Sequence, residues 1–166
     1  EQHRRDDFTT DRSGHQGRQI GKQEALMLSL RLVIDTNVVV SAALKSDGLQ
    51  RTTFLLSITK PGRLYVSTPI LEEYAEVLSR PELAIRKGPR LQLLQLIKNH
   101  GHLITPSRHI DVTSDPDDNI FVECADAARA DFLITGNRKH FPAFWKNTKI
   151  ITPREFVTLV APHLVR

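Results

Sequence analysis

Leu32-Val33-Ile34-Asp35-Thr36-Asn37 sets three large apolar side chains in a row and then stops at an acid. The run is too short for a helix and lacks the alternation of a strand with one wet face. It reads as a strand buried on both faces, the kind found in parallel sheets. Asp35 then stands at the carboxyl edge of that strand, followed by two short polar residues suited to positioning a cation or a water. Asp, Thr and Asn also cap helices well, so a purely structural N-cap explains the same residues about equally.

Working outward, short apolar runs alternate with amphipathic segments. Val38 through Ile58 reads as helical, broken near Ser46-Asp47-Gly48. Leu64-Tyr65-Val66 is a second strand. Thr68-Pro69 supplies a cap and a first-turn proline for a helix reaching about Ser79, where Arg80-Pro81 stops it. Pro89 opens another helix, with Leu91, Leu94 and Ile97 apolar and a stop near Gly101. His102-Leu103-Ile104 is a third strand. Asp115-Pro116 caps a helix carrying Ile120, Phe121, Cys124, Ala125 and Ala128. Phe132-Leu133-Ile134 and Lys149-Ile150-Ile151 are the fourth and fifth strands, and Thr152-Pro153-Arg154-Glu155 is a capping box. This rhythm predicts a parallel sheet with helices on both faces. Ligands of such sheets bind beyond the carboxyl ends of the strands.

The chain has 166 residues, enough for one domain. Residues 1–26 are polar and mixed in charge, with Phe8 and Ile20 as the only large apolar side chains before Leu26. They read as a disordered segment or an extension, and Met27 as a natural start; residues 27–166 form the predicted domain. A helical arm docking on a partner is the other reading of that segment. No apolar run spans a bilayer, and no secretory signal is visible. Cys124 is the single cysteine, which excludes an intrachain disulfide. The expected compartment is therefore the cytoplasm. A net charge of +4 is a mild bias toward a polyanionic partner.

Acids gather in two further places, and a polar turn joins them. On a helical wheel Ile70, Leu71, Tyr74, Val77 and Leu78 define a buried stripe. Glu72 and Glu76 point away from it, whereas Glu73 lies at its border and can face a cleft above the sheet. A favourable charge near the helix dipole is the simpler account of Glu73. Asp115, Asp117 and Asp118 crowd one turn; capping explains two of them, not three. Close carboxylates repel unless a cation offsets them. Thr135-Gly136-Asn137 ends the fourth strand at the same edge, and Arg138-Lys139-His140 follows as a candidate phosphate contact or a solvated loop.

Together these residues resemble the PIN domain. The likeness rests on Val33 to Asn37, Ser67 to Tyr74, Asp115 to Asp118 and Ala130 to Asn137. It covers about Leu30 to Val160, and is strongest to the toxin components of bacterial toxin–antitoxin pairs. It implies a Rossmann-like three-layer α/β/α sandwich with a mostly parallel sheet. It implies an endoribonuclease for single-stranded RNA using Mg2+ or Mn2+. The family acids fall on Asp35, Glu73 and Asp118 as metal ligands, and the fourth family position on Asn137 as a further catalytic residue. Asp115, Asp117, Thr36, Asn37 and Thr135 are secondary candidates, and Arg138, Lys139 and His140 candidates for RNA contact. The implied partners are RNA and a cognate antitoxin; a homodimer stays open.

Asn137 carries no charge where this family often has an acid, which keeps a second reading alive: a catalytically weak PIN-like module that binds RNA or protein. A phosphatase on a similar sheet would want a second Asp two residues after the first, and Asn37 stands there instead. A receiver would want paired acids at an earlier strand end and a lysine after a late strand; neither pattern is clear.

Overall fold

In the computed structural model, which describes residues 29–165, the opening apolar run is β1, Leu30–Ile34. Leu32, Val33 and Ile34 are fully buried, as a strand covered on both faces must be. β1 pairs in parallel with β2, Gly62–Val66, on one side and with β4, Phe132–Ile134, on the other. The two-residue β3, His102–Leu103, lies outside β2. Beyond β4 come β6, Thr148–Ile151, and the antiparallel edge strand β5, Phe144–Trp145. The order is β3-β2-β1-β4-β6-β5. The sheet and the six helices of the described residues form a three-layer α/β/α sandwich. The expectations for residues 1–26 and for Met27 lie outside the described residues.

The helices are α1 (Thr36–Leu44), α2 (Leu49–Ser57), α3 (Thr68–Leu78), α4 (Lys87–His100), α5 (Asn119–Ala128) and α6 (Pro153–Val160). α1 packs on α2 and α3, and α2 carries α6, while α5 lies against β1, β2 and β4. Gly62 lets the end of α2 press on the start of β2, where a Cβ would run into the Leu56 carbonyl. The buried Tyr74 hydroxyl donates to the Ile34 carbonyl, which pins α3 to the end of β1. β1 is the strand from which the winding departs in both directions, so the crevice between β1 and β4 is the switch point of the sheet.

Several local expectations need correction. β5 is an extra strand; its two residues were too few to show a period. Ser67, not Thr68, caps α3, with its Oγ accepting from the Ile70 amide. α4 starts at Lys87, ahead of Pro89, and buries Leu93 and Ile97 while Leu91 is exposed. Leu91 was misplaced because a helix with many polar residues fits more than one stripe. Asp115-Pro116 opens a 3₁₀ turn, Pro116–Asp118, before α5 begins. The capping box of α6 has both of its hydrogen bonds.

Candidate metal centre

Asp35 leaves β1 at the N-cap position of α1 but makes no capping bond with its side chain. It is only 5% exposed, and its Oδ2 accepts instead from Thr135 Oγ1 at 2.7 Å. Thr135 directly follows β4, the neighbouring strand, so the bond crosses the switch point. Its oxygen also accepts from the Asn137 amide at 2.9 Å. Beside Asp35, Thr36 Oγ1 donates to Glu73 Oε1 at 2.6 Å, tying α1 to α3. Asn37 Oδ1 accepts from the Gly136 amide at 3.1 Å and holds the turn after β4 against the start of α1.

Asp118 arrives from the third element. It stands at the N-cap position of α5, again without a capping bond. Its Oδ2 lies 3.0 Å from His140 Nδ1. The Asn137 side-chain nitrogen lies 3.2 Å from Nδ1 and 3.0 Å from Nε2 of the same ring. Asn137, His140 and Asp118 thus form a chain. The Asp115 carboxylate caps the 3₁₀ turn by accepting from the Asp117 amide. Asn119, 3% exposed, holds the approach to this turn: Oδ1 accepts from the amides of Val112 and Thr113 and from the Thr113 hydroxyl. Sequence reasoning missed Asn119; its signal was a polar residue directly after an acidic turn, at the first position of an otherwise apolar helix face.

The electrostatics follow from this crowding. Burial lifts Asp35 from 3.8 to about 6; the Thr135 hydroxyl opposes the rise, and Asp118 and Glu73 add to it. Burial likewise raises Glu73, against the Thr36 hydroxyl and with Asp118 and Asp117. Asp118 is also raised by burial, against its bond to His140 and with Asp115. Three carboxylates from three elements therefore share one field. Among the described residues, the group of three with donor atoms within 4.8 Å of one another is Asp115, Asp118 and His140. Asp35 and Glu73 stand outside that tight group.

On α3, Glu72 and Glu76 are exposed and Glu73 half-buried, and Glu76 pairs with Arg80. In the basic run, Arg138 Nη1 contacts Glu155 Oε1 at 2.7 Å, Lys139 is exposed, and His140 is committed to the acids. Hard oxygen donors clustered at this edge suit a divalent cation.

Comparison with known proteins agrees with the geometry. The family model described as the PIN domain matches residues 31–139, from β1 to the turn after β4. The chain is also similar to a protein of Methanocaldococcus jannaschii described as uncharacterized. The two are 27% identical over 142 residues, covering 78% of this chain and 91% of the relative. PIN domains are generally metal-dependent nucleases and typically bind a divalent ion. The match covers Asp35, Glu73, Asp115, Asp117 and Asp118, and the chain belongs to the PIN-domain family.

Proposed function

We propose that this chain is a metal-dependent endoribonuclease that cleaves single-stranded RNA and serves as the toxin of a toxin–antitoxin pair in the cytoplasm. Family membership implies a nucleic-acid substrate. The observation that carries the reading is the buried Asp35 carboxylate at the switch point, sharing its field with Glu73 and Asp118. The donor set fits a hard divalent cation, because burial and mutual repulsion raise the proton affinity of all three carboxylates and a cation would relieve both.

Asp35, Glu73 and Asp118 would hold Mg2+ or Mn2+. When bound, the ion would supply Lewis acidity and a water that ionises more readily than bulk water. The chain's own residues prepare the site. Thr135 and Thr36 fix the Asp35 and Glu73 rotamers through their hydroxyls. Asn137 orients His140, and His140 orients Asp118. Asn37 and Gly136 hold the two loops of the edge together. Lys139 is exposed and can meet a phosphate; Arg138 would first have to leave Glu155.

Cleavage of single-stranded RNA with Mn2+, with and without chelator, tests the reading. Activity that the chelator abolishes and that Asp35→Asn lacks supports it; full activity in Asp35→Asn overturns it. A catalytically weak binding module is the second reading, supported by an uncharged Asn137 whose amide is committed to His140. RNA binding without any metal-dependent cleavage would favour it. The proposed antitoxin covers the acidic cleft and inserts a basic side chain among the carboxylates. Co-expression with the neighbouring gene product should relieve growth inhibition; failure to relieve it or to form a complex removes the toxin role and leaves the nuclease.

A further inference from the structure

Positive charge also collects at the end of the sheet away from the acids. Register sets Arg31 of β1 directly beside Arg63 of β2, and Tyr65 of β2 beside His102 of β3. Alternation along β2 puts all four on one face. The Arg31 guanidinium donates to the Tyr65 hydroxyl from Nε at 3.2 Å and Nη2 at 3.0 Å, and lies over the ring. Arg63 sits over the same ring, and His102 packs 5.2 Å from it. Neither arginine has a carboxylate partner among the described residues. Like charges directly opposite on neighbouring strands destabilise a sheet, so a packing role alone does not explain the pair. Burial and then the two arginines hold His102 below its ordinary range, in keeping with an uncompensated positive field.

The same end of the sheet carries an open groove of about 550 Å³, lined by Arg108, Arg129, Lys146 and Trp145 and reaching Asp131. Asp131 links the two regions, because its Oδ2 accepts from the Arg31 amide at 2.8 Å. One carboxylate, Asp126, serves both Arg108 and Lys146 and also accepts from the Trp145 indole. Arg129 is exposed and has no anionic partner among the described residues. Three non-glycine residues of the described chain adopt left-handed backbone, and two of them are Arg129 (φ 49°) and Lys146 (φ 50°). Glycine would hold such turns at lower cost. Long cations stand there instead, both lining the groove.

We propose that this face is a track for the phosphodiester backbone of single-stranded nucleic acid, with Arg31 and Arg63 at one end and Arg108, Arg129 and Lys146 at the other. The choice of nucleic acid rests on the nuclease reading above. Arg31 lies four residues before Asp35 on β1, about 13 Å away, so the track holds strand that flanks the cut. Guanidinium forks match phosphate geometry, and the Trp145 and His102 rings offer sequence-tolerant stacking surfaces.

The test is fluorescence anisotropy of a labelled single-stranded RNA, roughly 16 nucleotides long, titrated with the whole chain in chelator so that no cleavage occurs. The double variant Arg63→Ala, Arg129→Ala removes two cations whose side chains make no hydrogen bond among the described residues, and circular dichroism checks that the fold is kept. Binding should weaken about tenfold or more, and the slope of log K against log salt should fall by about 1.4, at about 0.7 per phosphate contact. The matching double lysine variant should restore the salt slope. Wild-type binding and slope in the alanine variant would overturn the proposal. So would loss of binding to a polyglutamate peptide with RNA binding intact, which would make the face a dock for an acidic protein. Variant-sensitive RNA binding in a chain that never cleaves RNA sinks the nuclease and spares the track. Intact cleavage with variant-insensitive binding does the reverse.

Discussion

Replacing Asp35 by asparagine should make the metal-free protein more stable at neutral pH, although it removes the residue most central to the site. Burial is the main reason that the Asp35 carboxyl rises from 3.8 to about 6; the Thr135 hydroxyl lowers it, and Asp118 and Glu73 raise it further. A shift of that size corresponds to about 3 kcal/mol against the charged form. The sign follows from linkage. The folded value lies above the unfolded one, so the neutral carboxyl contributes its stability below about pH 4, and that stability is lost as pH rises through about 6. Asparagine cannot ionise and its carbonyl can still accept from Thr135, so it escapes the loss. For a chain of this size the difference is about 6–12 °C in Tm at about pH 7.5, closing by about pH 4. Thermal melts of both proteins in chelator across that range measure it. Adding Mn2+ should reverse the order, because only the wild type gains the full ligand set. A variant less stable than wild type at neutral pH in chelator, or a gap that does not change with pH, would refute the reasoning.

Glu73→Gln should lower cleavage on the order of a hundredfold or more, while Glu72→Gln on the exposed side of α3 leaves it unchanged; equal losses in a cleavage assay would remove Glu73 from its proposed role. Asn137→Asp adds charge beside His140 and Asp118 and should tighten Mn2+ binding by calorimetry; unchanged affinity would mean that this position does not reach the ion. Asp126→Asn strips Arg108, Lys146 and Trp145 of a shared charged partner, and should cost about 1–2 kcal/mol at neutral pH in denaturant unfolding. The Arg108 bond leads in holding Asp126 below the usual carboxylate range, so the wild-type advantage is present above the unfolded value and fades as pH falls through the folded one; a gap that widens in acid would contradict this. Gly62→Ala should destabilise the fold by about 2–3 kcal/mol, because a Cβ there meets the Leu56 carbonyl, which belongs to backbone and cannot swing aside.

Much of this molecule is written in local pattern. Leu32 to Ile34 announce a strand buried on both sides, Thr152 to Glu155 a helix start, and the wheel of α3 separates exposed Glu72 and Glu76 from half-buried Glu73. These depend on neighbours within one or two turns, where period and capping chemistry act directly. The short strand β5 and the buried face of α4 were not legible, because two residues carry no period and a polar helix permits several stripes. Nor could the neighbours of Asp35 be read from its own segment. Which strand lies beside β1 decides that Asp35 meets Thr135, a residue 100 positions later. His140 was legible only as part of a basic run; the turn after β4 aims it at Asp118, 22 residues earlier. Composition and order thus determined the elements, the class of fold and the types of donor at the sheet edge. Tertiary structure alone decided which donors meet, how deeply each carboxylate is buried and how strongly they repel, since desolvation and Coulomb terms depend on distances that only the packed sheet sets.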